Sequence, residues 1–158
     1  MILMRKQTCC FTGHRIIPCE HLPKLAQSLE NVLRRLIAEG ICYFGTGGAL
    51  GFDTLAADTV LRLHQQYPQI RLILVLPCRD QTRSWRQQDI EHYEIIKFQA
   101  DKTVYTSNFY TPDCMHRRNR HLIDNSSVCV AYCTRSTGGS AYTVNYARQK
   151  GVQAILLP

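Results

Sequence analysis

Three observations in the sequence predict an α/β fold with a mainly parallel sheet. Short apolar runs alternate with longer helix-like runs along the chain, which is the order of strands and helices in a parallel sheet. The short runs are apolar throughout rather than at every second residue, as expected of strands that are covered on both faces. Glycine-rich turns lie between strand-like and helix-like runs. With right-handed crossovers, this pattern gives a doubly wound, Rossmann-like domain.

The apolar runs predict six short strands, and the stretches between them predict five helices. The predicted strands are 8–12, 41–45, 71–76, 102–105, 128–132 and 154–157. The predicted helices are 22–39, 51–66, 82–98, 112–123 and 141–150. Gly40 and Gly151 follow two of these helices, where glycine commonly ends a helix.

Length and composition predict one compact domain over residues 1–158. A chain of 158 residues with 45% hydrophobic residues is within the usual range for a single domain with its own core. The sequence contains neither a signal-peptide pattern nor a run of about 18 apolar residues, so we expect a cytoplasmic protein without membrane contact. The eight cysteines form no C-x-x-C pair, so we expect buried free thiols, and neither a metal site nor a redox cofactor.

The formal net charge of +7 favours anionic partners. The basic residues are not collected in one tail; the tightest group is Arg117, Arg118 and Arg120. Most of the lysines and arginines are expected to be ordinary solvated surface, and nucleic acid binding stays open at this charge.

The first candidate binding motif is Gly13-His14-Arg15, directly after the first predicted strand. An arginine can hold a phosphate through two parallel hydrogen bonds, and a histidine can add another. The alternative is an ordinary surface turn. In parallel sheets, ligands bind beyond the carboxyl ends of the strands, which is where this motif is predicted to lie.

The second motif contains Gly47, Gly48 and Gly51 before a predicted helix, with Asp53 near the start of that helix. Its spacing departs from G-x-G-x-x-G, and it lacks the Gly-Lys-Ser/Thr of a P-loop. Asp53 either stabilises the helix dipole or accepts hydrogen bonds from a ribose or base.

The third motif is a turn rich in glycine and hydroxyl groups, and it precedes the last predicted helix. Backbone N–H groups and hydroxyls in such a turn can donate to phosphate oxygens. A fourth cluster places Arg118 and Asn119 on the helix before the fifth strand, where a cationic face can neutralise an anionic ligand. The candidate ligand-binding residues of these two motifs are Arg118, Asn119, Gly138, Gly139, Ser140 and Thr143.

Five segments in this order resemble the YpsA-like proteins of the SLOG superfamily: FTGHR, GTGGALGFDTLAA, LPCRDQTRSW, the stretch 110–124 and GGSAYTVNYA. The resemblance covers nearly the whole chain. It implies a Rossmann-like fold that binds a nucleotide or nucleotide-derived small molecule in a cleft lined by the glycine motifs, Arg118 and Asn119. It also places Gln81 and Trp85 at polar and aromatic positions after the third strand. Self-association into a homo-oligomer is implied by the resemblance alone.

The superfamily also includes the LOG phosphoribohydrolases, whose last glycine turn resembles P-G-G-x-G-T-x-x-E. Their glutamate, together with an arginine on the preceding helix, is needed to cleave the glycosidic bond. Carried onto this chain, Arg118 matches the arginine and Asn145 occupies the glutamate position. Because an amide cannot act as a general base, the resemblance favours binding in a sensing or regulatory role without turnover. Hydrolysis of a nucleotide, with Asp53 and Arg118 as catalytic candidates, and single-stranded DNA binding like that of the DprA proteins remain as alternatives.

Overall fold

A computed structural model describes the backbone of residues 2–158 and the side chains of residues 4–158. The strands are β1 (Thr8–Gly13), β2 (Tyr43–Thr46), β3 (Arg71–Leu76), β4 (Lys102–Tyr105), β5 (Val128–Tyr132) and β6 (Gln153–Leu156). The helices are α1 (Ile2–Lys6), α2 (Leu22–Ala38), α3 (Phe52–His64), α4 (Gln87–Gln99), α5 (Cys114–Asp124) and α6 (Gly139–Gln149), with a 3₁₀ turn at Cys19–His21.

The six strands form one parallel sheet in the order β4-β3-β2-β1-β5-β6. From β1 the chain moves outward through β2 and β3 to β4, and then returns past β1 to β5 and β6. Adjacent strands β1 and β5 are therefore followed by connections that leave in opposite directions. This arrangement opens a crevice at their carboxyl ends, where open parallel sheets bind ligands. The predicted α/β fold with a parallel sheet is confirmed.

Helices pack on both faces of the sheet, as the fully apolar strands predicted. In β1, Cys9 and Phe11 belong to the larger core cluster, which includes residues of α2, α3 and α4. Cys10, between them, belongs to a second cluster that contains residues of α5 and α6. Because successive side chains of a strand point to opposite faces, this division shows that both faces of the sheet are buried.

Helix α2 shows how the sequence forms these layers. Its buried residues Leu25, Leu29, Leu33 and Leu36 recur at three- and four-residue intervals and make one apolar stripe. The helix is followed by Gly40, whose φ of +102° is readily adopted by glycine. The amide of Ile41 then donates to the Leu36 carbonyl oxygen at 3.0 Å, which closes a Schellman motif.

The predicted strands at 71–76, 102–105 and 128–132 coincide with β3, β4 and β5, and most other boundaries move by one or two residues. The main correction concerns α4, which begins at Gln87 rather than at residue 82. The residues before it form turns, in which the amides of Arg83 and Trp85 donate to the carbonyl oxygens of Asp80 and Thr82. Helix α1 was not predicted. Helix α6 begins at Gly139, two residues before its predicted start at residue 141.

Two further sequence expectations concern membranes and thiols. Within residues 2–158, no helix has the length and apolar composition needed to cross a bilayer. All eight cysteines are free thiols, and five of them are buried: Cys9, Cys10, Cys78, Cys114 and Cys129. Burial raises the pKa of the Cys9 thiol well above its ordinary value, so this residue packs as a small apolar side chain.

Candidate ligand-binding cleft

A cleft of about 340 Å³ opens at the carboxyl ends of β1 and β5, at the point where the connections diverge. Its walls are the loop after β1, the loop after β5, the region around Ala49 and Asp53, and one face of α5. This volume is within the range of small-molecule sites, roughly 300–1,000 Å³. The cleft therefore lies where the topology favours a ligand and has the size for one.

Most of the predicted site residues meet in this cleft. Those that line it are Gly13, His14, Arg15, Asp53, Arg118, Asn119, Gly138, Gly139 and Ser140. Four predicted residues lie outside its lining: Gly47, Gly48, Gly51 and Thr143. The contacts of these four residues explain why.

Gly47 and Gly51 make room for other parts of the protein rather than for a ligand. A Cβ on Gly47 would collide with the Arg118 guanidinium, and a Cβ on Gly51 would collide with the carbonyl oxygens of His14 and Arg15. Gly51 has a φ of +79°, and the next amide, that of Phe52, donates to the His14 carbonyl oxygen at 3.0 Å. These glycines hold the loop after β2 against α5 and against the loop after β1.

Gly48 and Thr143 also have contacts away from the cleft. Gly48 has a φ of +72°, and a Cβ there would meet Leu76. It lines a smaller cavity beside Trp85 instead. The Thr143 hydroxyl is buried within α6 and donates to the Gly139 carbonyl oxygen at 2.9 Å.

Gly138 and Gly139 differ from these glycines because a Cβ built on either residue would point into open space, more than 4 Å from every described atom beyond the adjacent residues and the backbone of the same helix. Gly138 has a φ of +100° and immediately precedes α6. No side chain caps the start of this eleven-residue helix by a hydrogen bond. Its first N–H groups lack partners within the helix and carry the positive end of the helix dipole. Gly138 and Gly139 thus give the cleft open space next to the backbone N–H donors at the start of α6.

Arg118 brings a buried cation to the opposite wall. The residue is only 4% exposed. Its Nε donates to Asn119 Oδ1 at 2.7 Å, Nη1 donates to the Gly47 carbonyl oxygen, and Nη2 points to the Met115 sulfur at 3.7 Å. No carboxylate oxygen among the described side chains lies within 4 Å of this guanidinium. Burial lowers the pKa of Arg118, and the more distant Asp53 opposes this shift.

Asp53 is the one acidic residue in the described lining. It is 7% exposed, and its Oδ2 accepts a hydrogen bond from the Ala49 amide at 3.2 Å. Burial raises the pKa of Asp53, while Arg118, the Ala49 amide and Arg15 act in the opposite direction. The carboxyl thus closes the Ala49 turn through its Oδ2.

His14 joins the two loops that flank the cleft. The Thr134 amide donates to His14 Nε2 at 2.9 Å, so this nitrogen carries no proton and the ring proton is on Nδ1. Burial, followed by the charge of Arg135, lowers the pKa of His14. Because Nε2 is engaged by Thr134, Nδ1–H is the donor that His14 has left for a ligand.

Arg15 and Arg135 are exposed at the rim of the cleft, and neither forms a salt bridge with a described side chain. With Arg118, they place three guanidinium groups around a single carboxyl group in the described lining. The cleft is therefore an electropositive site suited to an anion.

Sequence reasoning left six lining residues out of the candidate site: Thr12, Ile16, Ala49, Met115, Arg135 and Thr137. Arg135 and Thr137 belong to the third glycine turn, and their position directly after an apolar strand was the signal that could have included them. Met115 is on the same helix face as Arg118 and Asn119, three and four residues on, which helical periodicity could have indicated.

Asn145 does not lie in this cleft. It is exposed on α6 and lines a separate groove with Cys133, Arg148 and Leu156. The position that motif comparison gave to the LOG glutamate is therefore outside the cleft. Among the described residues, no group of three His, Cys, Asp or Glu side chains is placed to hold a metal ion.

A family model described as the YspA SLOG family matches residues 18–154, which is most of the chain. The chain belongs to this family. Among curated relatives of this SLOG protein, the UPF0398 protein of Bacillus cereus (strain G9842) is 26% identical over 130 residues, covering 80% of this chain and 71% of the relative. A UPF0398 protein of Bacillus thuringiensis (strain Al Hakam) gives the same identity and coverage. The family predicted from the motifs is confirmed.

Two solved structures of DNA processing protein A are similar to the SLOG chain. The Helicobacter pylori protein has a TM-score of 0.68 at 20% identity, with 99% of this chain and 68% of that chain covered. The Streptococcus pneumoniae protein has a TM-score of 0.72 at 18% identity, with 99% and 52% covered. The SLOG chain thus spans about half the length of the second protein. At these identities the likeness shows a common fold.

Proposed function

We propose that the cleft binds the phosphate of a nucleotide or nucleotide-derived small molecule, in a sensing or regulatory role without turnover. The observation that carries the proposal is that two features face the same cavity. One is Arg118, a buried cation with no carboxylate of a described side chain within 4 Å, and the other is the uncapped N-terminus of α6. Buried charges are normally paired, and a helix N-terminus favours an anion. A phosphate group would satisfy both.

Family membership and topology support a nucleotide as the bearer of that phosphate. The cleft lies at the switch point between β1 and β5, which is the nucleotide site of many doubly wound sheets. Small residues at Gly138, Gly139 and Ser140 allow the backbone to approach phosphate oxygens closely.

The absence of turnover is proposed from the carboxyl groups of the cleft. Asp53 is the one acidic side chain of the described lining, and its Oδ2 is already bonded to the Ala49 amide. Glycoside hydrolysis normally uses two carboxyl groups that flank the bond. A hydrolase remains the second candidate, because burial raises the pKa of Asp53 toward the range of a general acid or base.

Single-stranded DNA binding is a third candidate. The Helicobacter pylori structure is described as showing the single-stranded DNA binding mode of that protein. In this chain, the net charge of +7 and the exposed Arg15 and Arg135 beside the cleft are compatible with a positively charged groove that contacts the phosphate backbone of DNA. DNA binding of this kind predicts an affinity that falls steeply with salt concentration.

Calorimetric titration with nucleoside mono-, di- and triphosphates tests the proposal. We expect Arg15→Ala and Arg135→Ala each to weaken binding about tenfold or more, because each removes a charge-assisted hydrogen bond of about 1.5–3 kcal/mol. Arg117→Ala is the matched control, since Arg117 is on α5 outside the cleft and bonds to Asp113 at 3.3 Å. Equal losses in all three variants would mean that net charge, and not the cleft, binds the ligand.

A further inference from the structure

A second cavity of about 270 Å³ adjoins the cleft. Arg15 and Met115 line both cavities and thus form the wall between them. The second cavity is enclosed mainly by the segment between β3 and α4 and by Tyr110 from the segment between β4 and α5. A ligand with one end at Arg15 in the cleft can therefore extend past that side chain into the second cavity.

Aromatic side chains line this second cavity. Tyr110 is 58% exposed, although most large apolar side chains of the chain are buried. Trp85 is held in place by an edge-on contact with Tyr93, with ring centroids 5.4 Å apart and planes at 88°. Aromatic rings that are fixed at one edge and open to a cavity are platforms on which a base can stack.

A buried amide in the same cavity lacks a partner. The Tyr93 hydroxyl bonds to Gln81 Oε1 at 3.4 Å, while Gln81 Nε2 is buried without a hydrogen-bond partner in the described chain. A tyrosine hydroxyl both donates and accepts, so one polar atom of Gln81 stays unpaired whichever way the amide is oriented. Buried polar groups without partners are rare, and a ligand with a polar edge would supply the missing hydrogen bond.

We propose that the second cavity, the base pocket, binds the nucleobase of a nucleotide whose phosphate lies in the cleft. This inference rests on the proposed function, because the cleft must first hold the phosphate. Trp85 and Tyr110 give the base its stacking surface, and the unpaired Gln81 atom bonds to its polar edge. The shared wall at Arg15 and Met115 places the sugar between the two cavities.

The test compares the four ribonucleoside 5′-monophosphates with ribose 5-phosphate, which carries the same phosphate but no base. Trp85 is the only tryptophan in the chain, so its fluorescence reports on the base pocket directly. We expect at least one nucleotide to bind about tenfold or more tightly than ribose 5-phosphate and to quench Trp85.

Tyr110→Ala should reduce the ratio of the two affinities, and Tyr110→Phe, which keeps the ring, should restore it. Phe109→Ala is the matched control: Phe109 is the adjacent exposed aromatic residue, at 76%, and it lines neither cavity. A preference without quenching, or one that survives Tyr110→Ala, would place the base elsewhere and overturn the inference. Equal affinity for ribose 5-phosphate and for every nucleotide would overturn the base pocket but leave the proposed phosphate site standing. No binding of either kind of ligand would overturn the proposed function as well.

Discussion

The Arg118 guanidinium donates a hydrogen bond to the carbonyl oxygen of Gly47, and it fills the space that a Cβ at position 47 would need. The two residues are 71 positions apart in the sequence. Gly47 therefore sets the position of the buried cation through both its carbonyl oxygen and its missing side chain.

The first prediction tests this relationship with a double-mutant cycle. Gly47→Ala should lower the free energy of unfolding by about 1–3 kcal/mol, because it overpacks a buried site. In an Arg118→Ala background, the same substitution should have a much smaller effect, because the colliding group is gone. Urea denaturation of the four proteins measures the coupling. If the two losses of unfolding free energy simply add in the double variant, then contact with Arg118 is not the reason that position 47 needs a glycine.

The second prediction separates folding from binding at the open glycine pair. Gly138→Ala should destabilise the protein by about 1–3 kcal/mol, since its φ of +100° is strained for any residue with a Cβ. Gly139→Ala should leave the protein as stable, or up to about 1 kcal/mol more stable, because alanine favours a helix. The new methyl group should nevertheless weaken nucleotide binding. Thermal unfolding with and without ligand measures both effects, and unchanged affinity in Gly139→Ala would argue against a phosphate at this turn.

The same comparison of glycines shows what the sequence can and cannot predict. The strands β3, β4 and β5 could be placed to the residue, because each is an apolar run bounded by turn residues. The roles of Gly47 and Gly138 could not be told apart, because both follow a strand in a glycine-rich turn. In the folded protein, Arg118 on α5 fills the space beside Gly47, whereas the space beside Gly138 stays open. This difference depends on a contact between residues that are far apart in the sequence. The start of α4 at Gln87 was not predicted either, because the residues before it form hydrogen-bonded turns that the helix-like sequence pattern does not reveal.

The third prediction concerns Asp53, whose pKa is raised above its ordinary value of 3.8 mainly by burial. Between the unfolded and the raised folded pKa, the folded state binds more protons, so the free energy of unfolding falls as the pH rises. Asp53→Asn removes this titration and retains an acceptor for the Ala49 amide. The variant should be more stable than the original protein at pH 7, and the difference should shrink as the pH approaches 3.8. Urea denaturation across this range measures it, and a variant that is less stable at pH 7 would refute the prediction.

The fourth prediction concerns His14, whose pKa is lowered from 6.5 by burial and by Arg135. Below 6.5 the unfolded chain takes up a proton before the folded chain does, so the free energy of unfolding decreases as the pH falls through the folded-state pKa. The contribution is fully present above pH 6.5. His14→Gln, which keeps an acceptor for the Thr134 amide, should show a smaller decrease over the same range. Identical pH profiles would mean that His14 does not titrate differently on folding.

The central claim is that an intact nucleotide binds in the cleft, and its most direct test is a thermal-shift titration followed by product analysis. The ligands are nucleoside mono-, di- and triphosphates, ADP-ribose, NAD and short single-stranded DNA. At one hundred times its Kd, a bound nucleotide should stabilise the fold by about 2.7 kcal/mol and raise the Tm by roughly 5–10 °C. We predict that this shift falls by about half or more in Arg15→Ala at the same ligand concentration and that the nucleotide is recovered unchanged. Release of free base would indicate a hydrolase instead, and no shift with any nucleotide would contradict the account.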